Sequence, residues 1–210
     1  MKRFTNILVA LGVTLFLLTV GMKSEAEAGL CDLGGVEVKD TVSVDGCDYE
    51  IRLCIYCKPN YPGEVKIHSY RLLYGCYTTL TDQEIYDSII AQITTSAYII
   101  LHCEKEIPPC NGTERLNVIF EYPICWKIVL YSINQNPDLN IYYYLPCDDD
   151  SYCEVTYSYC IDALGLHTSA SNGTLIGTPN CTLESWEITK PTSYVGEESD
   201  CYIIHTPCNK

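Results

Sequence analysis

Positive charge is scarce in this sequence: Lys and Arg number 13 against 27 Asp and Glu, for a net charge of −14. So acidic a chain is repelled by nucleic acid and by anionic lipid, which argues against both as partners. Large apolar rings are also few, with 3 Phe and 2 Trp beside 18 Tyr. Histidine is confined to His68, His102, His167 and His205. No Gly-x-Ser-x-Gly elbow, His-Glu-x-x-His, Gly-x-Gly-x-x-Gly or phosphate-binding loop occurs. These absences point away from the common enzyme classes, and no cofactor is implied.

Long apolar runs are missing after the first thirty residues. The single one, "ILVALGVTLFLLTVG" (7–21), follows the basic start "MKRFTN" and precedes "MKSEAEAG". That three-part build predicts a signal peptide over 1–28, cut after Ala28. The run is shorter than the roughly 20 residues that span a bilayer, so no membrane span is expected after cleavage. Cleavage removes three basic and two acidic residues and leaves a net charge of −15. The expected location is extracellular or at the cell surface.

Cysteine, by contrast, is abundant. Cys31, Cys47, Cys54, Cys57, Cys76, Cys103, Cys110, Cys125, Cys147, Cys153, Cys160, Cys181, Cys201 and Cys208 all survive the cut. In "CDYEIRLCIYC" (47–57), haem attachment is excluded because Lys58 stands where a histidine must follow Cys-x-x-Cys. A thioredoxin-like pair wants a helix start, whereas Cys54 and Cys57 end a strand. Structural zinc needs a second regularly spaced ligand pair, and only His102-Cys103 and Cys201…His205…Cys208 group further Cys with His. An even count in an exported chain reads as a disulfide framework of up to seven bridges. Turn signals inside short loops favour local pairs: Cys103 with Cys110, Cys147 with Cys153, and Cys201 with Cys208. "CDYEIRLC" and "CEVTYSYC" share Cys-x6-Cys spacing, so each cysteine there must reach a different neighbour.

Periodicity sets the fold class. In 48–57, Tyr49, Ile51, Leu53 and Ile55 share one face, the mark of a half-buried strand. Further strands are expected at 36–44, 64–73, 115–122, 125–132, 140–145, 153–160 and 201–205, separated by Gly, Pro, Asn and Asp. One segment differs: Thr81 and Glu84 form a capping-box spacing, and Ile85, Ile89, Ile93 and Ala97 recur every four residues. The expectation is a mainly β, disulfide-stapled antiparallel sandwich or open barrel with one helix at about 82–98. Two β-rich halves, 29–80 and 105–210, would be joined by that helix.

Candidate sites follow from residue chemistry. Asp148, Asp149 and Asp150 form a carboxylate run able to offer oxygen ligands to calcium, though a solvated turn explains it as well. Tyrosine clusters in "IYYYLP" and "SYCEVTYSYC" make Tyr142, Tyr143, Tyr144, Tyr157 and Tyr159 candidate contact residues; the alternative is that tyrosine replaces phenylalanine in the core. Asn-x-Thr sites at Asn111, Asn172 and Asn180 would mark surface loops.

The signal-peptide start, "DGCDYEIRLCIYC" with its proline-glycine loop, and the ending "CYIIHTPCN" resemble exported cysteine-rich proteins of Gram-negative bacteria. The resemblance implies no activity. The sequence expectation is a non-enzymatic structural or interaction protein, such as a self-assembling subunit of an extracellular filament, surface layer or matrix. A carbohydrate- or ligand-binding β-domain is the alternative, and a secreted hydrolase comes third. Expected partners are further copies of the chain, other extracellular proteins or glycans.

Overall fold

A computed structural model describes residues 31, 34–57, 62–95, 106–136, 139–147 and 151–208. The expected signal peptide, Ala97, His102, Cys103 and Asp148–Asp150 lie outside them. The chain begins with β1 (Gly35–Val44), β2 (Cys47–Tyr56) and β3 (Gly63–Leu72), followed by the helix α1 (Asp82–Thr95). Next come β4 (Leu116–Pro123), β5 (Cys125–Ser132), β6 (Ile141–Pro146), β7 (Tyr152–Asp162), β8 (Gly165–Ala170) and β9 (Thr174–Ile176). The short β10 (Leu183–Glu184) and β11 (Tyr202–Ile203) close the chain.

Every expected strand is present, and alternation dictates which face each buries. β2 buries Tyr49, Ile51, Leu53 and Ile55, while Asp48, Glu50, Arg52 and Tyr56 are more exposed. The β1–β2 hairpin turns through Asp45 (φ 52°) and Gly46 (φ 76°), the left-handed pair that a two-residue hairpin requires. β8 and β9 were not legible beforehand, because their residues are mostly exposed and carry no apolar alternation.

The strands make one sheet that forks at β3. Along one edge β3 pairs with β2. Its other edge is shared: Gly63–Lys66 pair in parallel with β4, and Tyr70 and Arg71 pair antiparallel with β6. One branch continues through β7 to β8, with β9 also on β7; the other runs β6-β5-β11-β10. Only Ile124 separates β4 from β5, so the two branches are stitched by a continuous chain. The sheet is mixed, since β3–β4 and β10–β11 are parallel. Strands from both expected halves thus share one sheet and one core.

α1 lies on this sheet through buried Ile85, Tyr86, Ile89 and Ile93. Its start is the expected capping box: Thr81 N donates to Glu84 Oε2 at 2.8 Å, and Glu84 N donates to Thr81 Oγ1 at 3.2 Å. The helix ends at Thr95 among the described residues, and 96–98 fall outside them. Tyrosine fills the core where phenylalanine is missing. Tyr70 stacks on Tyr144 with ring centres 4.5 Å apart, beside Trp126 at 5.4 Å and Tyr86 at 6.2 Å.

Six disulfides join described residues: Cys31–Cys54, Cys47–Cys76, Cys110–Cys160, Cys125–Cys181, Cys147–Cys201 and Cys153–Cys208. Cys57 is also disulfide-bonded. Such a framework belongs to an oxidising compartment. The local pairings expected at Cys110, at Cys147 with Cys153 and at Cys201 with Cys208 are corrected. Cys110 reaches β7, and Cys147, Cys153, Cys201 and Cys208 form two long-range bridges, because the cysteines staple strand to strand rather than closing loops. The Cys-x6-Cys pairs behave as their spacing requires, with four different partners.

Three of the bridges share one task. Cys125–Cys181, Cys147–Cys201 and Cys153–Cys208 tie the nearly irregular segment 181–208 to the ends of β5, β6 and β7. Backbone bonds follow the same path: Leu130 N to Glu197 O at 2.9 Å, Ser199 N to Ile128 O at 2.9 Å, and Ile204 N to Ile124 O at 2.9 Å. Gly173 permits the last bridge, because a Cβ there would lie 2.7 Å from Cys208 Sγ and 2.9 Å from Cys153 Sγ.

Replacing both Cys125 and Cys181 by Ala opens a loop with a sequence separation of 56. The chain-entropy cost is at most about 4 kcal/mol, since neighbouring bridges shorten the effective loop. At about 2–4 °C per kcal/mol, the Tm should fall by up to roughly 8–16 °C. Calorimetry checks it, and an unchanged Tm would mean that the sheet contacts alone hold the segment.

Candidate functional site

The C-terminal segment brings Lys190 to the start of α1. There Lys190 Nζ donates to Asp82 Oδ1 at 2.9 Å and to the Tyr144 hydroxyl at 2.9 Å. Tyr144 in turn donates to Asp82 Oδ1 at 3.0 Å, closing a triangle. The Asp82 side chain is 8% exposed, whereas the Lys190 side chain is 42% exposed. The ammonium also lies 5.7 Å from the Tyr142 ring centre and 5.5 Å from that of Tyr144. Each member has a local reason for its place. Asp82 opens the helix, where a carboxylate complements the positive end of the dipole. Tyr142 and Tyr144 are two apart on β6 and share a face.

The phenol of this triangle holds its proton. Burial, and then the Asp82 charge and hydrogen bond, raise the Tyr144 phenol well above its ordinary range. Burial pushes Tyr49 up to about 12, with Lys190 opposing and Asp82 adding to the rise. Tyr144 therefore stays a phenol that donates, and it does not serve as a base near neutral pH.

Two cavities flank the triangle and share Leu80 and Lys190. One, of about 250 Å³, is lined by Tyr77, Asn140, Tyr142, Tyr144 and Thr78 among others. The second, of about 420 Å³, is lined by Thr81, Asp82, Gln83, Ser185, Trp186 and His205. His205 is fixed by two bonds to Gln83: Gln83 Nε2 donates to the His205 carbonyl at 2.9 Å, and His205 N donates to Gln83 Oε1 at 2.7 Å. The imidazole Nε2 lies 3.0 Å from Glu184 Oε2.

The sequence candidates meet different fates. Tyr142 is half-buried and lines the first cavity. Tyr143 points to the opposite face, where Arg52 Nη2 donates to its hydroxyl at 3.3 Å and Arg71 lies 5.1 Å from its ring centre. Tyr144 and Tyr159 are buried core residues, and Tyr144 also lines the first cavity. Tyr159 gives its hydroxyl to the Thr94 carbonyl of α1 at 2.9 Å, and half-buried Tyr157 hydrogen-bonds Tyr122 at 3.1 Å. These hydroxyls explain why tyrosine stands where phenylalanine would pack equally well. The calcium candidates Asp148–Asp150 lie outside the described residues. Asn111, Asn172 and Asn180 are all exposed. Cys110, Asp162 and His167 converge, but Cys110 is spent in a disulfide and offers no thiolate ligand. Sequence reasoning missed Asp82, Trp186 and Lys190. An unusual tryptophan in "LESWEIT" was the one available signal.

The opposite branch holds a separate carboxyl cluster. Glu121, buried on β4, meets Lys66 Nζ at 2.9 Å. Burial pushes its carboxyl up to about 7; a hydrogen bond with Glu64 adds to the rise and Lys66 opposes it.

Compared with known protein families, curated proteins and solved structures, the chain matches none.

Two outcomes follow. Tyr144→Phe removes a hydrogen bond to charged partners and should cost about 1.5–3 kcal/mol in urea unfolding; no change would show that Lys190 alone satisfies Asp82. Glu121 has a folded pKa above its unfolded value, so the unfolded chain releases its proton first. Its contribution therefore destabilises the fold as pH rises through roughly 4.5 to 7. Glu121→Gln should remove that fall, seen as a wild-type-to-variant stability difference that changes between pH 4.5 and 8. A constant difference would contradict the raised pKa.

Proposed function

We propose that this chain is a secreted, non-catalytic binding module whose ligand is received between α1, β6 and the C-terminal segment. The observation that carries the reading is the Asp82–Tyr144–Lys190 triangle. It keeps a partly exposed ammonium in fixed position where it lines two cavities. Aromatic rings border the cavities, and the combination of apolar walls with few convergent polar groups is typical of ligand sites. Disulfides on the segment supply preorganisation, which lowers the ordering cost of binding.

The test is a thermal-shift screen of the mature protein against mono- and oligosaccharides, amino acids and short peptides, repeated with Lys190→Met. Stabilising ligands whose effect shrinks in the variant support the module. Turnover of chromogenic esters, glycosides or peptides that disappears with Lys190→Met would overturn its non-catalytic character.

A second reading, self-association as a subunit of a filament, surface layer or matrix, is favoured by β8. Among the described residues that strand pairs with β7 alone, and Ile161, Leu164 and its own Leu166 are exposed there. Such an edge is a template for strand addition by a second copy. Light scattering across a wide concentration range decides it: assembly abolished by Leu164→Asp supports this reading, and a constant monomer mass ends it.

A further inference from the structure

Trp186 is the anomaly of this surface. Of the two tryptophans, Trp126 is fully buried, whereas Trp186 is 76% exposed. A large indole left in water at a cavity wall marks a contact surface more often than a packing residue. Nor does it sit on a loose loop. Its 3-10 turn, Ser185–Glu187, is closed by a reciprocal capping box between Glu184 and Glu187, with Glu184 N donating to Glu187 Oε2 at 2.7 Å. Cys181 ties the chain four residues earlier to β5. The backbone that carries the ring is thus fixed before any ligand arrives. A second exposed ring, Tyr77 at 73%, borders the other cavity.

Between these rings the polar groups are mixed in kind. Lys190 donates, Asp82 accepts, and the Ser185 hydroxyl beside Trp186 does both, while the Gln83 and Asn140 amides are already engaged within the fold. Such a set suits hydroxyl groups, which donate and accept at once. Charge narrows the class further. The Lys190 ammonium is already balanced by Asp82, Glu184 adds negative charge beside the second cavity, and the whole chain carries −14. An anionic ligand would approach against that field. An uncharged, polyhydroxylated ligand with an apolar ring face does not meet that obstacle.

We propose that the two adjoining cavities bind a neutral oligosaccharide, with Trp186 as the stacking platform and Lys190 and Asp82 as hydroxyl partners. The proposal rests on the binding-module reading and names its ligand. Two cavities of about 250 and 420 Å³, with Leu80 and Lys190 in both walls, offer space for more than one sugar ring. Aromatic area supplies affinity, and the fixed polar groups select the hydroxyl pattern.

The mature protein is tested against arrays of neutral oligosaccharides (glucans, xylans, mannans), uronic-acid and sulfated oligosaccharides, and short peptides. Hits are titrated by tryptophan fluorescence. Because Trp126 is buried, acrylamide quenching reports mainly Trp186. A neutral oligosaccharide should shield it, and Trp186→Ala should weaken binding at least tenfold without lowering the Tm. Lys190→Met should also weaken binding. Recognition of only charged glycans, or neutral binding untouched by Trp186→Ala, overturns the proposal. If peptides bind, depend on Trp186, and no saccharide does, the saccharide assignment falls and the binding module stands. If no probe binds, both fall.

Discussion

A buried carboxylate at the mouth of α1 needs a cation, and the C-terminal segment 181–208 supplies it. Left alone, the charge of Asp82 would cost several kcal/mol in its desolvated position. Tyr144 supplies one donor, but the compensating positive charge arrives from Lys190, which is 108 residues away in sequence. Segment 181–208 has little regular structure to hold it. Three disulfides and a run of backbone bonds to β5 and Ile124 do so instead. The bridges therefore act beyond restricting the unfolded chain: they fix the path on which Trp186, Lys190 and His205 converge.

Tyrosine does in this core what phenylalanine cannot. The ring of Tyr144 stacks on Tyr70 as any aromatic would, while its hydroxyl reaches Asp82 and Lys190. Tyr159 likewise packs inside and ties β7 to the last turn of α1. The rings give area, and the hydroxyls set which element lies against which. Hydroxyls of Tyr70, Tyr86 and Tyr202 have no hydrogen-bond partner among the described residues, so tyrosine is not explained by pairing at those positions.

Charge is divided between the strands on either side of β3. On the outer face, Glu50 sits between Arg71, whose Nε is 3.1 Å away, and Arg52 at 3.3 Å. Burial raises the Glu50 carboxyl, but the two guanidiniums outweigh it and hold the group below its usual range. Glu121 goes the other way, because it is more deeply buried and shares its lysine with Glu64. Two similar carboxylates on strands that flank β3 thus differ through partner number and burial.

Local rules decided much of this protein from its sequence. Alternation placed the eight main strands, the Thr81–Glu84 box placed the helix start, and the cysteine excess announced the bridges. Each of these depends on residues a few positions apart, so a linear reading suffices. β8 and β9 escaped because exposed strands need no apolar period. The pairing of the cysteines was decided only in three dimensions: spacing shows which residues cannot meet, while strand order shows which do. Tyr143 and Tyr144 make the same point at one remove. Adjacent in sequence, they face a guanidinium surface and a buried triangle respectively, and no composition or motif separates them. The candidate site belongs wholly to tertiary structure, because its carboxylate, phenol and ammonium come from a helix start, a mid-sheet strand and an irregular tail.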